Sequence, residues 1–295
     1  MALPDRVREH AADVVAHARS VRIDRDALEA LDPGPPPALD LERHFVDGDP
    51  PDVAAYLLTL DAINFGSGWF PTLRKRRGAD GRPVSGYFTI AWALADRVRA
   101  LGPWSAAELR AMRADEVADV LGQPRDHELM ALYAQALREL GTFLGGRHAL
   151  DLVAEAGGSA VALAELVSGG MAMWHDPGFA KRAQMLGSDL ALAGAAELHD
   201  LDALTIFADN VVPHVLRCEG VLVLDERLAA HIDAGRLLRP GPQERELRAA
   251  AVHACVAIAR RTAMTERDVD NALWYAGQRP EYKARPRPRC RNVFY

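Results

Sequence analysis

The 295-residue sequence carries 35 lysine and arginine residues against 41 aspartate and glutamate residues, which gives a net charge of −6 near neutral pH. A chain of this length with 49% hydrophobic residues can bury a large core, and its acidic balance argues against a polymeric nucleic acid as partner. Three widely spaced cysteines, a charged first segment unlike a signal peptide and no apolar run of about 18 residues predict a cytoplasmic protein without a membrane partner.

Apolar residues recur at steps of three and four along most of the chain, a period that predicts helices. The run 220–224 is the one segment typical of a strand. Prolines in 33–37 separate an N-terminal helical segment, 1–32, from the rest. We therefore predict an all-α fold with little or no sheet, as one helical domain over residues 1–295 or as two closely packed lobes. The predicted helices cover residues 4–20, 51–64, 86–101, 105–119, 126–144, 159–167, 180–198 and 244–261.

A further helical pattern over 199–213 carries Asp209 within an apolar run. Carboxylates are rarely buried without a partner, so Asp209 is a candidate for chemistry. If Asp202 opens this helix, the two carboxylates lie on one face roughly 10 Å apart, a spacing that could hold a sugar or a small base. The alternative is that Asp202 caps the helix and Asp209 is partly exposed near a break at Pro213.

The segment 60–71 places Asn64, Phe65 and Trp69 at the end of an apolar helix, beside a turn loosened by glycines. Such an arrangement can form a stacking platform for a planar ligand. The alternative is an ordinary helix C-terminus with aromatic residues in the core.

Two segments place basic side chains beside apolar ones. In 180–190, Arg182 and Asp189 are seven residues apart and share a helix face, an arrangement that is more often structural than catalytic. The segment 283–295 alternates basic residues with prolines and then ends on one aliphatic and two aromatic side chains, so we expect it to dock. Docked arginines near a pocket could bind a phosphate through two parallel hydrogen bonds.

Several familiar motifs are absent from the sequence. It contains no glycine-rich dinucleotide fingerprint, no Walker sequence, no serine nucleophile elbow and no His-Glu-x-x-His motif. The histidines are scattered, and a lone histidine is more often a core or surface residue than a metal ligand. We therefore predict neither a metal ion nor a redox cofactor.

Seven segments follow one another in a recognisable order: Leu60-Asp-Ala-Ile-Asn-Phe65, Gly86-Tyr-Phe-Thr-Ile90, Lys181-Arg-Ala-Gln-Met-Leu186 with Asp189, Asp202-Ala-Leu-Thr-Ile-Phe-Ala-Asp209 through Pro213-His-Val-Leu-Arg217, Glu244-Arg-Glu-Leu-Arg248, Asp270-Asn-Ala-Leu-Trp274 and Arg289-Cys-Arg-Asn-Val-Phe-Tyr295. Together they resemble the signatures of the queuosine 5′-phosphate N-glycosylase/hydrolase family of queuosine salvage proteins. The resemblance implies an all-helical fold similar to helix-hairpin-helix DNA glycosylases and an enzyme that releases queuine from queuosine 5′-monophosphate. Residues 66–68 are extra relative to the family pattern, and Asn210 stands where an aromatic residue is usual.

The resemblance also suggests roles for individual residues. Cleavage of an N-glycosidic bond develops positive charge on the ribose, which a carboxylate beneath the anomeric carbon can stabilise. We expect Asp209 in that role, with Asp202 orienting the partners of Asp209 or hydrogen-bonding the ribose hydroxyls, and a small nucleotide as the partner. A repair-type nucleic-acid glycosylase and a non-catalytic binding protein for a modified nucleoside remain alternatives. The expected substrate contacts are Asn64, Phe65, Trp69 and Phe88 for the base, Lys181 or Arg182 with Arg289 or Arg291 for the 5′-phosphate, and Asp189.

Overall fold

The computed structural model describes residues 1–38 and 40–295, and most of these residues are helical. Within the described residues the sheet is a single antiparallel pair, β1 Val21–Ile23 and β2 Leu222–Leu224, in which Val21 lies opposite Leu224. The helices are α1 Leu3–Ala16, α2 Arg25–Ala30, α3 Pro50–Ala62, α4 Gly86–Leu101, α5 Ala106–Ala111, α6 Ala114–Leu121, α7 Glu128–Leu144, α8 Ala149–Glu155, α9 Ala160–Gly170, α10 Lys181–Leu192, α11 Val211–Cys218, α12 Glu226–Asp233, α13 Pro242–Thr262, α14 Glu266–Ala276 and α15 Pro280–Lys283.

The all-α prediction is confirmed, and the strand predicted at 220–224 is present as β2. The likeness to helix-hairpin-helix glycosylases stays a prediction. Three predicted helices differ from the structure: α1 ends at Ala16, the segment 105–119 is divided between α5 and α6, and α10 ends at Leu192. No helix in the described part of the chain combines the length and apolar character that a bilayer crossing requires.

The prediction of one helix over 199–213 is wrong. Leu201–Ala203 forms a short 3-10 turn, the backbone becomes extended at Leu204, residues 204–209 belong to no helix or strand, and α11 begins only at Val211. Pro213 therefore lies in the first turn of a helix and does not break one. Proline is tolerated in a first turn because the N–H groups there have no acceptor within the helix.

Two groups of helices enclose the site. The all-round buried helix α3 packs against α4, α7, α8 and α10, while the long helix α13 packs against α1, α11 and α14. The N-terminal segment is held on α13 and α14, since the Glu246 carboxylate accepts the Val21 N–H at 3.1 Å and Arg8 donates to Glu266 at 2.8 Å. The functional site lies where α10, α14 and the extended segment 204–209 meet.

The segment 283–295 docks on the body, as the sequence predicts. The Gly66 N–H donates to the Tyr295 carbonyl at 3.0 Å, and the side chains of Cys290 and Tyr295 are buried. A Cβ atom at Gly68 would stand 2.7 Å from the backbone of Cys290, which explains a glycine at that position. Gly66 and Gly68 therefore form part of the surface on which this segment packs.

Candidate active site

A cavity of about 500 Å³ opens between α10, α14, the extended segment and the docked segment. This volume is within the range typical of sites for small organic ligands. Its wall is partly apolar and also carries the charged side chains of several aspartate, lysine and arginine residues. The polar and aromatic lining includes His44, Asn64, Phe65, Lys75, Tyr87, Lys181, Asp189, Asp209, Asn210, Asp270, Asn271, Trp274, Tyr275, Gln278, Lys283, Arg285, Arg287 and Arg289.

Asp209 lies in this cavity with both carboxylate oxygens fixed. Its Oδ1 accepts the backbone N–H groups of Val211 at 2.7 Å and Val212 at 3.2 Å, at the N-terminus of α11. Its Oδ2 accepts the indole N–H of Trp274 at 3.2 Å. Burial raises the pKa of Asp209, whereas the charge of Lys181 and the two backbone donors act in the opposite direction. The result is a buried carboxylate held in one orientation by three donors.

The extended segment before Asp209 is anchored at almost every residue. The Thr205 N–H donates to the Gln184 side chain at 3.0 Å, and the Phe207 N–H donates to the Asp270 Oδ1 at 3.0 Å. The next carbonyl, that of Ala208, accepts from the Arg248 Nε at 2.9 Å. These bonds replace the ones that a helix would supply, and they fix the position of the catalytic candidate.

A buried ion pair links this segment to the start of α10. Arg248 binds Asp176 through both terminal nitrogens, and the Asp176 Oδ2 also accepts the Lys181 backbone N–H at 3.1 Å. Between them Ala180 adopts a left-handed conformation with φ of 48°, which is strained for a residue with a Cβ. The strain is located where the chain must turn to present Lys181 to the cavity.

Lys181 is surrounded by carboxyl groups. Its Nζ donates to the Asn64 carbonyl at 3.3 Å, and the charges of Asp209, Asp61 and Asp189 raise its pKa, although burial lowers it overall. Burial raises the pKa of both Asp61 and Asp189, that of Asp189 to about 7, and neither Asp61 carboxyl oxygen has a hydrogen-bond partner among the described residues. The charge of Asp189 acts on Asp61 in the same direction as burial, which favours the protonated form of the Asp61 carboxyl group.

Aromatic side chains form one wall of the cavity. The rings of Trp274 and Tyr87 meet edge to face with centroids 5.4 Å apart. The Tyr87 hydroxyl is bonded to the His44 Nε2 at 2.9 Å, while the His44 Nδ1 contacts the Asp40 carbonyl at 2.8 Å. Burial lowers the pKa of His44, so the imidazole is neutral and its Nδ1 carries the proton. A planar base fits against such a wall.

Basic side chains form the rim of the cavity. Burial and the nearby charge of Arg289 lower the pKa of Lys75 to about 8, and burial lowers the pKa of Arg287 and Arg289. Within the part of the chain that the structure describes, Arg289 donates no hydrogen bond, and Lys75 donates only to the Phe70 carbonyl. Cations held close together without a carboxylate partner are suited to an anion.

The structure brings six of the predicted site residues to the cavity. They are Asn64, Phe65, Lys181, Asp189, Asp209 and Arg289. The other five lie elsewhere among the described residues: Asp202, Trp69, Phe88, Arg182 and Arg291.

The positions of these five have physical reasons. Asp202 is exposed in the 3-10 turn, because the helix that would have aligned it with Asp209 does not form. The Trp69 indole donates to Glu128 at 2.7 Å, and Arg291 stacks on that indole and pairs with the same glutamate. Trp69 and Arg291 therefore help to hold the docked segment on the body, outside the cavity.

Arg182 and Phe88 support the site from behind. The Arg182 guanidinium is buried and donates to the carbonyls of Asp61 and Ala62, which end α3, and to that of Val293. Carbonyls at a helix C-terminus have no partner within the helix, so Arg182 stabilises that end, and both of its terminal nitrogens are bonded to backbone carbonyls outside the cavity. Phe88 packs edge to face on Trp274 at 5.8 Å, behind the aromatic wall.

Sequence reasoning missed several lining residues, above all Asp270 and Trp274 on α14 and Lys75 and Arg287 on the rim. Asp270 and Trp274 are four residues apart and share a face of the helix, which was the available signal. Among the residues that the structure describes, no cluster of three or more histidine, cysteine, aspartate or glutamate side chains could hold a metal ion.

The fold and the cavity define a helical protein with a cavity of small-ligand size whose lining combines an aromatic wall, a fixed carboxylate and a basic rim. Residues 44–295 match the family model described as queuosine salvage protein. A Sphaerobacter thermophilus protein named queuosine 5′-phosphate N-glycosylase/hydrolase is 34% identical over 315 residues, which covers 96% of this chain and 95% of that protein. A Nematostella vectensis protein of the same name is 27% identical over 222 residues, covering 68% of this chain and 63% of that protein. The chain belongs to the queuosine salvage protein family.

Proposed function

We propose that this chain hydrolyses the N-glycosidic bond of queuosine 5′-phosphate and releases queuine and ribose 5-phosphate. The observation that carries the proposal is the Asp209 carboxylate, held by three donors in a cavity of about 500 Å³. The two relatives described above bear the name of this activity. The substrate is a single nucleotide, because the cavity is of the size of a small-ligand site.

Asp209 stabilises the transition state. As the bond from the anomeric carbon to the base lengthens, positive charge develops on the ribose, and a carboxylate already fixed in place stabilises that charge without reorganisation. The donors from Val211, Val212 and Trp274 keep the carboxylate oriented and ionised. Lys181 offsets the negative charge of the carboxyl cluster before substrate binds.

The aromatic wall and the basic rim bind the two ends of the nucleotide. Trp274 and Tyr87 provide faces and edges for the base, and Asn64 and Asp189 provide hydrogen-bonding groups for its edges. Arg289 with Lys75 provides the cations for the 5′-phosphate. Phosphate binding relieves the repulsion between these two cations.

The test is release of free queuine, followed by chromatography, from queuosine 5′-monophosphate and separately from the dephosphorylated nucleoside, without added metal. We expect multiple turnover and much faster release from the monophosphate. Tight binding of the base without release from either compound would replace the proposal with a binding-protein role.

A further inference from the structure

Two carboxyl groups of the cavity, those of Asp209 and Asp270, have different surroundings. Asp209 accepts three hydrogen bonds. Asp270 accepts one, from the Phe207 N–H to its Oδ1, and in the described part of the chain its Oδ2 accepts none. The Asp270 side chain is 3% exposed and lines the cavity, so the Oδ2 is the atom through which it can meet a ligand.

This difference indicates which of the two carboxyl groups is ionised. Hydrogen bonds donated to a carboxyl group favour its ionised form, and two neighbouring buried carboxyl groups do not both ionise. Asp209, with three donors, is therefore the anion, and Asp270 keeps its proton. Burial and the charge of Asp209 raise the pKa of Asp270 to about 8, which agrees with this assignment. The other charged groups that face Asp270 are Lys181 and Asp189, both from α10.

Helix α14 links the Asp270 and Asp209 carboxyl groups. Asp270 and Trp274 are separated by one turn of α14, and the Trp274 indole is bonded to Asp209. The Asp270 Oδ1 is bonded to Phe207, two residues before Asp209 in the same extended segment. The two carboxyl groups are thus fixed relative to each other by two independent bonds, as in other enzymes that divide acid and anion roles between two carboxyl groups.

The departing base needs a proton. When the bond between the anomeric carbon and the base breaks, both electrons leave with the base. Queuine has carbon at the position where guanine has N7, so the proton that commonly activates a purine leaving group cannot be placed there. A proton can be delivered instead to N9, which receives the bonding electrons, or to N3, which is conjugated with N9.

We propose, building on the function proposed above, that Asp270 is the general acid that protonates the leaving base. The electron pair of the glycosidic bond goes to the base, and the Asp270 proton neutralises it. Water captures the ribosyl cation beside Asp209, and the proton lost by that water returns to the Asp270 carboxylate. One water is consumed, neutral queuine and ribose 5-phosphate are formed, and both carboxyl groups regain their starting states.

The test compares two substrates that share ribose 5-phosphate and differ in the leaving group. They are queuosine 5′-phosphate and 4-nitrophenyl β-D-ribofuranoside 5-phosphate, whose nitrophenolate departs without a proton. Asp270→Asn keeps an oxygen to accept the Phe207 N–H. It is expected to lower kcat on the nucleotide by about 10²- to 10⁴-fold and on the nitrophenyl compound by less than about tenfold. Asp209→Asn is expected to lower both rates strongly.

Equal losses on the two substrates with Asp270→Asn, or no loss on either, would overturn the acid role. If that variant does not fold, the wild-type pH profile decides: kcat on the nucleotide falls above pH about 8 and kcat on the nitrophenyl compound does not. A fall for both compounds would also overturn it. If the wild-type protein does not hydrolyse the nucleotide at all, the proposed function itself fails.

Discussion

Replacing Trp274 by phenylalanine isolates one hydrogen bond of the carboxylate that carries the proposed mechanism. The substitution keeps a ring in the wall and removes the indole N–H that lies 3.2 Å from the Asp209 Oδ2. A hydrogen bond to a charged group contributes about 1.5–3 kcal/mol, and a length at the upper end of the usual range favours the lower figure. Because the bond fixes the Oδ2 in the position from which it stabilises the transition state, we expect its loss to lower kcat by about tenfold.

The same loss changes the pH profile. A donor to the carboxylate favours its ionised form, so removing it raises the pKa of Asp209 by about one unit for about 1.4 kcal/mol. The acid limb of kcat for queuine release moves to higher pH by that amount. Trp69→Phe is the matched control, because it removes an indole–carboxylate bond of 2.7 Å to Glu128 outside the cavity. An unchanged kcat and acid limb in Trp274→Phe, or equal changes in both variants, would refute the reasoning.

Three further predictions concern the phosphate, the docked segment and pH. Arg289→Ala is expected to raise KM for the monophosphate about tenfold or more and to leave KM for the nucleoside unchanged. Arg291→Ala, whose arginine is paired outside the cavity, is expected to change neither KM, and equal effects of the two variants would contradict the assignment. Gly68→Ala places a Cβ 2.7 Å from the backbone of Cys290 and should lower Tm by several degrees. Gly146→Ala, which has open space around the new Cβ, should not lower Tm, and similar Tm values for the two variants would contradict the predicted packing. Asp270, with a folded-state pKa of about 8 against about 3.9 unfolded, takes up a proton on folding, so its contribution to stability is present below about pH 4 and is lost as pH rises through about 8. The Tm of Asp270→Asn relative to wild type should therefore rise between about pH 5 and 8, and a constant difference would contradict the assigned pKa.

The sequence identified Asp209 as a candidate, but the helix predicted around it is wrong. A buried extended segment and a buried helix both read as an uninterrupted apolar run, and residues 204–208 are all buried. The helical interpretation therefore aligned Asp202 with Asp209, whereas the extended backbone leaves Asp202 exposed in its turn. The carboxylate was recognisable from its chemistry, but the backbone leading to it is held by the distant side chains of Gln184 and Asp270, which no local pattern indicates.

Residues far apart in sequence account for most of what was missed. Asp270 and Trp274 lie on a helix of ordinary amphipathic composition, and their bonds to Phe207 and Asp209 span more than 60 residues. Arg182 was placed at the phosphate on charge alone, but its guanidinium serves the carbonyls that end α3. The docking of 283–295 was predictable because apolar residues follow its basic stretch, and this docking brings Arg289 to the rim.

The most direct test of the central claim is the rate of queuine release from queuosine 5′-monophosphate by wild-type protein and Asp209→Asn, measured at saturating substrate together with the affinity of each for free queuine. The asparagine keeps an oxygen for the Val211 and Val212 donors and removes the charge. We predict a loss of several orders of magnitude in kcat with queuine affinity largely retained. Near-normal turnover by Asp209→Asn would remove the carboxylate from the mechanism and contradict this account.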